Sequence, residues 1–308
     1  MSTARWSLVA ALATMLAWGM NFAFVKYVLD QIGVGAFVFL RFLILPLLGL
    51  ALLVVVFRSR IRMSWPRRAD LPRFVLCALV GHVLHISAVM YGMSLSTAFS
   101  SSLVLTCQPL FTLAILAWLG AERLRAQQVA GTLVAFAGIA LFLSDKFATG
   151  FSRAGLGDLT LLVAGAAFST YTVLSRPLAD RYGPLIVLSY TLLFSMPVML
   201  PLTWPFLGDV HFTALRPAVW GGLFWALVVC SFVGWLAWTW VNSVRGIARS
   251  APFMYLMPPV AGVMAWVTLG ETFTWLKIAG AIVTMAGVAW AQFGGGTLRR
   301  EAAQPDSG

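Results

Sequence analysis

Apolar residues run through this chain in long, nearly uninterrupted stretches that end at Pro, Gly or Arg, with no alternation of period two and no broad polar face. A hydrocarbon core about 30 Å thick needs about 20 apolar helical residues, because in lipid a chain must satisfy its own backbone hydrogen bonds. Ten stretches approach that length: Trp6 to Val25, Val34 to Phe57, Phe74 to Leu95, Ala98 to Leu119, Gln128 to Leu143, Leu159 to Leu178, Leu185 to Trp204, Val219 to Val241, Ala251 to Leu269 and Leu276 to Phe293. The pattern predicts an all-α integral membrane protein with ten transmembrane helices. Breaks such as Trp65-Pro66-Arg67-Arg68, Gly183-Pro184, Arg216-Pro217 and Arg245-Gly246 mark the connections.

Composition agrees: 60% of the 308 residues are hydrophobic and 10% are charged, against about 25% charged in soluble domains. The net charge of +11 is spread over the short connections, as expected beside a bilayer and not of a nucleic-acid-binding face. Counting loops alternately places 15 Arg on one side, from Arg5 through Arg58 and Arg123 to Arg300, and five basic residues on the other: Lys26, Lys146, Arg153, Arg216 and Lys277. The positive-inside rule then puts both termini in the cytoplasm of an inner (plasma) membrane. Ala11-Leu12-Ala13 resembles a signal cleavage site, but it follows Arg5 too closely for an ordinary signal-peptide core, so the first span is expected to be a mature helix. Cys77, Cys107 and Cys230 sit within apolar stretches and suggest neither disulfide nor metal.

The chain also repeats itself. An offset of 149 residues places Ser94 on Ser243, Ser101 on Ser250, Pro109 on Pro258, Glu122 on Glu271, Gly131 on Gly280 and Gly138 on Gly287; an offset of 150 places Lys26 on Arg176. Each copy carries five spans. Because five is odd, the second copy enters the membrane from the opposite side, so Glu122 and Glu271 are expected at opposite faces. Such inverted-topology repeats can exchange conformations and expose a central site to each side in turn.

Trp18-Gly19-Met20-Asn21-Phe22, Lys26, Arg41-Phe42, Gln108-Pro109, Gly120-Ala121-Glu122, Gln128, Gly131 and Gly138, with the echo Pro258, Gly270-Glu271, Gly280 and Gly287, resemble the EamA branch of the drug/metabolite transporter superfamily. The resemblance covers essentially the whole chain, with five-helix repeats at 1–145 and 155–296 and a cytoplasmic tail at 297–308. It implies an exporter of small metabolites such as amino acids, with a substrate cavity between the two halves. A family resemblance of this kind does not name the substrate.

Several side chains are then candidates for substrate binding. Arg41 lies within the second span, where an unpaired Arg costs about 2.5–3.5 kcal/mol on insertion scales; it reads as a clamp for a substrate carboxylate, or alternatively as a tie to helix-end carbonyls or Asp30. His82 and His85 share a face of the third span and could bind substrate or relay a proton, or simply bond a neighbouring helix. Trp18 and Asn21 share a face of the first span, and Phe168 and Tyr171 are their mirrors. Trp18, Trp235 and Trp238 lie too deep to be interfacial anchors, a role that suits Trp6, Trp65, Trp204 and Trp275. Tyr91, Gln108, Tyr190 and Tyr255 are further interior candidates. Pro109, Pro258 and Pro259 read as hinges that interrupt helical hydrogen bonding. Gly131, Ala135 and Gly138, echoed by Gly280, Thr284 and Gly287, read as a close-packing scaffold.

Acidic residues are missing from the middle of the spans, Glu122 and Glu271 fall at helix ends, and no nucleotide-binding P-loop is present. The reading is an alternating-access exporter of amino acids, apolar or aromatic ones included, with no cofactor and no metal. Its partners are a small-molecule substrate and the lipid bilayer, not nucleic acid, with monomer and homodimer both open. The rivals are a membrane-embedded enzyme or lipid-handling protein, for which only His82 and His85 offer a hint of catalysis, and a carrier of sugar phosphates or drugs. Phosphorylated cargo would need more interior cations than Arg41 and Lys26.

Overall fold

The computed structural model describes residues 3–58, 64–119, 126–148, 153–245 and 250–293. Glu122 and the tail 297–308 lie outside the described residues. Among them the chain forms helix without strand, in ten rods: α1 (3–32), α2 (34–57), α3 (Arg68–Leu95), α4 (Ala98–Trp118), α5 (Ala126–Ala148), α6 (Arg153–Tyr182), α7 (Pro184–Thr203), α8 (217–245), α9 (251–269) and α10 (Trp275–Phe293). Among the described residues, seven continuous helices are long and apolar enough to cross a membrane, one of them the joined pair α1–α2; Phe253–Leu269 and Trp275–Ala291 are shorter apolar helices.

Two glycines show the duplication most directly. Gly33 (φ 74, ψ 166) divides α1 from α2, and Gly183 (φ 81, ψ 158) divides α6 from α7. A side chain would strain either position, and the two are 150 residues apart. The Gly33 corner lies at one end of the bundle, where Gly35 packs beneath Phe206 in the 3₁₀ turn just beyond α7 and Lys26 donates to the Met93 and Ser94 carbonyls at the end of α3. Gly183 lies at the opposite end, where Arg181 and Tyr182 bond Asp70 at the start of α3. The two halves are therefore inverted relative to each other.

Irregularities recur at matched positions as well. α3 carries a π-helical segment at Ala78–Leu84 and α8 another at Trp225–Val233; shifted by 149, the first falls inside the second. Inserted π turns concentrate at functional sites. α4 is broken by a turn at Thr106 and Cys107, and α9 begins with the 3₁₀ segment Ala251–Leu256; the α-helices resume at Gln108 and Met257, again 149 apart. The prolines expected as hinges fall directly at these breaks. Pro109, Pro258 and Pro259 stand in the first turn of the resumed helices, where a missing N–H costs no hydrogen bond, and the bend precedes them. The backbone at Pro109 is described; its side chain lies outside the described residues.

The glycine scaffold joins α5 to α10. A Cβ added to Gly131 would lie 2.3 Å from the Ala291 nitrogen, one on Gly138 2.4 Å from the Thr284 nitrogen, and one on Gly287 2.3 Å from the Ala135 nitrogen. These backbones touch because no side chain separates them, which is how helices gain contact where lipid removes the hydrophobic drive. The larger apolar core lies among α1, α2, α3, α6, α7 and α8, with Val104 and Leu105 of α4.

Candidate substrate site

Two polar contacts cross the main core, and the repeat relates them. Arg41 on α2 is 6% exposed, and its Nη1 donates to Ser231 Oγ on α8 at 2.5 Å. His82 on α3 is 2% exposed, and its Nε2 lies 2.9 Å from Thr191 Oγ1 on α7. Thr191 is the mirror of Arg41 by 150 residues, and Ser231 is the mirror of His82 by 149. The hydroxyls act alike. Ser231 donates to the Ala226 carbonyl at 2.6 Å and Thr191 to the Val187 carbonyl at 2.8 Å, so each accepts from its basic partner. His82 Nε2 therefore carries the proton and Nδ1 is left as an acceptor.

The aromatic neighbours keep the same symmetry. Trp18 on α1 donates from Nε1 to the Cys230 carbonyl at 2.9 Å and lies against Gly234; its mirror Phe168 on α6 lies against His85, the mirror of Gly234, with rings 4.9 Å apart. His85 Nδ1 donates to the Ala164 carbonyl at 2.9 Å. Trp235 meets His82, Phe168 and Tyr171 at 6.3, 5.6 and 6.3 Å between ring centres, and Tyr171 packs edge-on to His82 at 5.5 Å. Gly81 makes room for Tyr171, since a Cβ there would lie 2.2 Å from its ring. Trp18 and Trp238 are paired at 6.0 Å.

Partners are missing at particular atoms. Asn21 Oδ1, Arg41 Nε and His82 Nδ1 are buried polar atoms that make no hydrogen bond. Asp30, the alternative partner for Arg41, instead lies 3.6 Å from Lys26. The Arg41 guanidinium thus lies in the core with a neutral hydroxyl as its partner and no carboxylate among the described residues. Such a group retains a strong demand for an anion.

Other sequence candidates fall elsewhere. Tyr91 is 49% exposed on α3 and stays apart from this cluster. Gln108 sits at the α4 break, where its carbonyl accepts from Ser169 at 2.7 Å, and Tyr190 joins Phe74 and Phe194 beside α7. Tyr255 donates to the Val288 carbonyl at 3.2 Å, beside the α5–α10 pair. Trp6, Trp65, Trp204 and Trp275 are exposed.

Sequence reasoning passed over Ser231 and Thr191, although the offsets that pair Pro109 with Pro258 and Lys26 with Arg176 also pair these with His82 and Arg41. It also passed over Asp158, because the sixth span was expected to begin at Leu159, whereas α6 starts at Arg153. Asp158 is buried and accepts from Ser96 and Ser100. Beside it, Glu271 accepts from the Ala98 and Phe99 nitrogens at 2.6 and 3.3 Å, so two carboxylates serve the N-terminal end of α4. The run Ser96-Thr97 with Ser100-Ser101-Ser102 was the available signal.

Comparison with known proteins places this architecture. The EamA-like transporter family matches residues 5–144 and again 155–292. The chain belongs to that family. It is therefore a membrane transporter, and its long apolar helices agree with a place in the bilayer. Among relatives of this EamA-family chain, a probable terminal-alkyne amino-acid exporter of Streptantibioticus cattleyicolor is 29% identical over 99% of this chain and 98% of its own length. Probable amino-acid metabolite efflux pumps of Salmonella typhimurium and Escherichia coli are 28% and 26% identical, covering 92% and 93% of this chain and 94% of their own lengths in both cases. One crystal structure covers 96% of this chain and 98% of its own with a TM-score of 0.65 at 18% identity, and shares the fold.

Proposed function

We propose that this EamA-family transporter exports small metabolites bearing a carboxylate, amino acids foremost, from the cytoplasm across the inner membrane by alternating access of its two inverted halves. The observation that carries the reading is Arg41: a guanidinium in the core with an unpartnered Nε and no counter-ion among the described residues. A substrate carboxylate supplies that charge, and a guanidinium recognises a carboxylate through paired N–H donors. The single cation also favours a monocarboxylate over a phosphorylated solute, whose greater charge would need several. Relatives named as an amino-acid exporter and as amino-acid metabolite efflux pumps support the same substrate class.

The repeat supplies the cycle. Arg41–Ser231 lies toward the Gly33 end and His82–Thr191 toward the Gly183 end, at equivalent depths in opposite halves. Opening one contact while keeping the other exposes the intervening space to one side. Placing the Gly183 end, with the Arg-rich connections, in the cytoplasm makes the Gly33 end the exit.

An efflux panel tests the assignment. Cells overproducing the protein should release one or more amino acids faster than controls and tolerate their toxic analogues, with both effects lost in Arg41→Gln. An unchanged panel across all amino acids removes the substrate class.

A further inference from the structure

We propose that the site is chemically polarised along the bundle, so that the substrate lies in one orientation: its carboxylate and amino group in the α1–α2–α8 half, its apolar side chain among the rings of α3, α6 and α8. The inference rests on the amino-acid reading above and adds the side-chain class and the direction of the bound molecule.

The backbone framework is duplicated, but its chemistry is not. Arg41 is mirrored by neutral Thr191, and Asn21 by Tyr171. One half therefore offers a cation with a free N–H and an amide with a free acceptor, Asn21 Oδ1. Counting from the shared corner at Gly33, Asn21 lies 12 residues before it and Arg41 eight after. At 1.5 Å per residue their depths differ by about 6 Å, within reach of two side chains converging on one ammonium–carboxylate group. The opposite half replaces them with Tyr171, whose hydroxyl bonds Thr191 and Ser175, and with a Thr191 hydroxyl already committed to His82 and Val187, leaving His82 Nδ1 as a free acceptor beside the rings.

α8 joins the two compartments. Ser231, which holds Arg41, and Trp235, which closes the ring cluster with Phe168, Tyr171 and His82, are four residues apart, about one turn or 6 Å along the axis. That is about the distance from the carboxyl group of an amino acid to the middle of an aromatic side chain. The rings offer apolar faces and edges suited to another ring or a branched aliphatic chain, and Gly81 sets the depth of Tyr171 within them.

Counterflow of labelled phenylalanine into liposomes holding the full-length protein tests this, with unlabelled phenylalanine, phenylalaninamide, 3-phenylpropanoate and alanine as competitors. In the wild type, phenylalanine should compete about tenfold or more better than each of the other three, because removing the carboxylate, ammonium or ring empties one part of the site. Arg41→Gln should bring phenylalaninamide level with phenylalanine. Trp235→Leu should narrow the preference for phenylalanine over alanine while keeping the preference over phenylalaninamide. Should a variant fail to fold, the wild-type competitor series decides alone. Equal competition by alanine and phenylalanine overturns the polarised site while leaving amino-acid transport standing; no counterflow with any amino acid overturns both.

Discussion

Arg41 and Thr191 each lie eight residues beyond a positive-φ glycine, Gly33 and Gly183, and each bonds across the core to the π-helical segment of the opposite half. Ser231 receives the first and His82 makes the second, so one geometrical contact occurs twice with different chemistry. A duplicated framework preserves hydrogen-bond geometry, while sequence divergence concentrates the positive charge in one copy. That difference allows a two-fold-like scaffold to hold a substrate with two unlike ends.

Replacing Arg41 separates charge from fork geometry. Arg41→Lys keeps a cation but loses the planar set of donors; it should retain partial transport with weaker apparent affinity. Arg41→Gln should lower transport about tenfold to a hundredfold, the worth of a charge-assisted hydrogen bond. Initial rates across a substrate concentration series, with thermal unfolding of the same preparations as a check on folding, measure both.

Thr191→Val removes one oxygen at nearly constant volume. His82 Nε2 then loses its acceptor in a buried site, at a cost of about 1–3 kcal/mol. The thermal midpoint in detergent should fall, and Thr191→Ser should restore most of the loss. Equal midpoints for the valine variant and the wild type would show that the His82 contact contributes nothing.

Close approach of α5 and α10 depends on particular glycines. Gly287→Ala brings a Cβ against the Ala135 backbone, whereas an added Cβ at Gly155 meets nothing within 4 Å. The first substitution should destabilise by about 1–3 kcal/mol through overpacking and the second should leave the midpoint nearly unchanged. Fluorescence-detected unfolding of the two variants in parallel reads the difference.

Asp158 organises the turn between α3 and α4. Asp158→Ala leaves Ser96 and Ser100 without their carboxylate acceptor in a buried site, and the yield of folded, monodisperse protein should drop. Asp158→Asn keeps an acceptor oxygen and should recover much of that yield on size-exclusion chromatography. A full recovery would assign Asp158 a structural hydrogen-bonding role; folded protein without transport would assign its charge to the cycle.

The helices and their duplication were largely legible in the sequence, because lipid leaves the backbone few alternatives and the Pro, Glu and Gly spacing recurs. Helix ends were less so. α6 extends upstream through Asp158 because Ser96 and Ser100 satisfy its carboxylate, a contact that apolar periodicity does not register. The interior placement of Trp18 and Trp235 followed from their depth in the spans and that of Tyr171 from its mirror, Asn21, whereas Tyr91, also far from charged residues in sequence, lies on the outer surface; α3 is apolar around much of its circumference and its facing is set by neighbours. The pairing of Arg41 with Ser231 required the three-dimensional crossing of α2 and α8. Ser231 carries no signature alone, and its role emerges only through its mirror, His82.

The most direct test of the inverted architecture is the sidedness of its two glycine corners. Single cysteines replacing Asp30, beside Gly33, and Asp180, beside Gly183, in an otherwise cysteine-free chain would be treated with a membrane-impermeant maleimide. Labelling at position 30 in cells whose inner membrane is intact, with position 180 labelled only after that membrane is permeabilised, is the predicted result. Both positions labelled from the same side would contradict the inverted halves and the alternating cycle built on them.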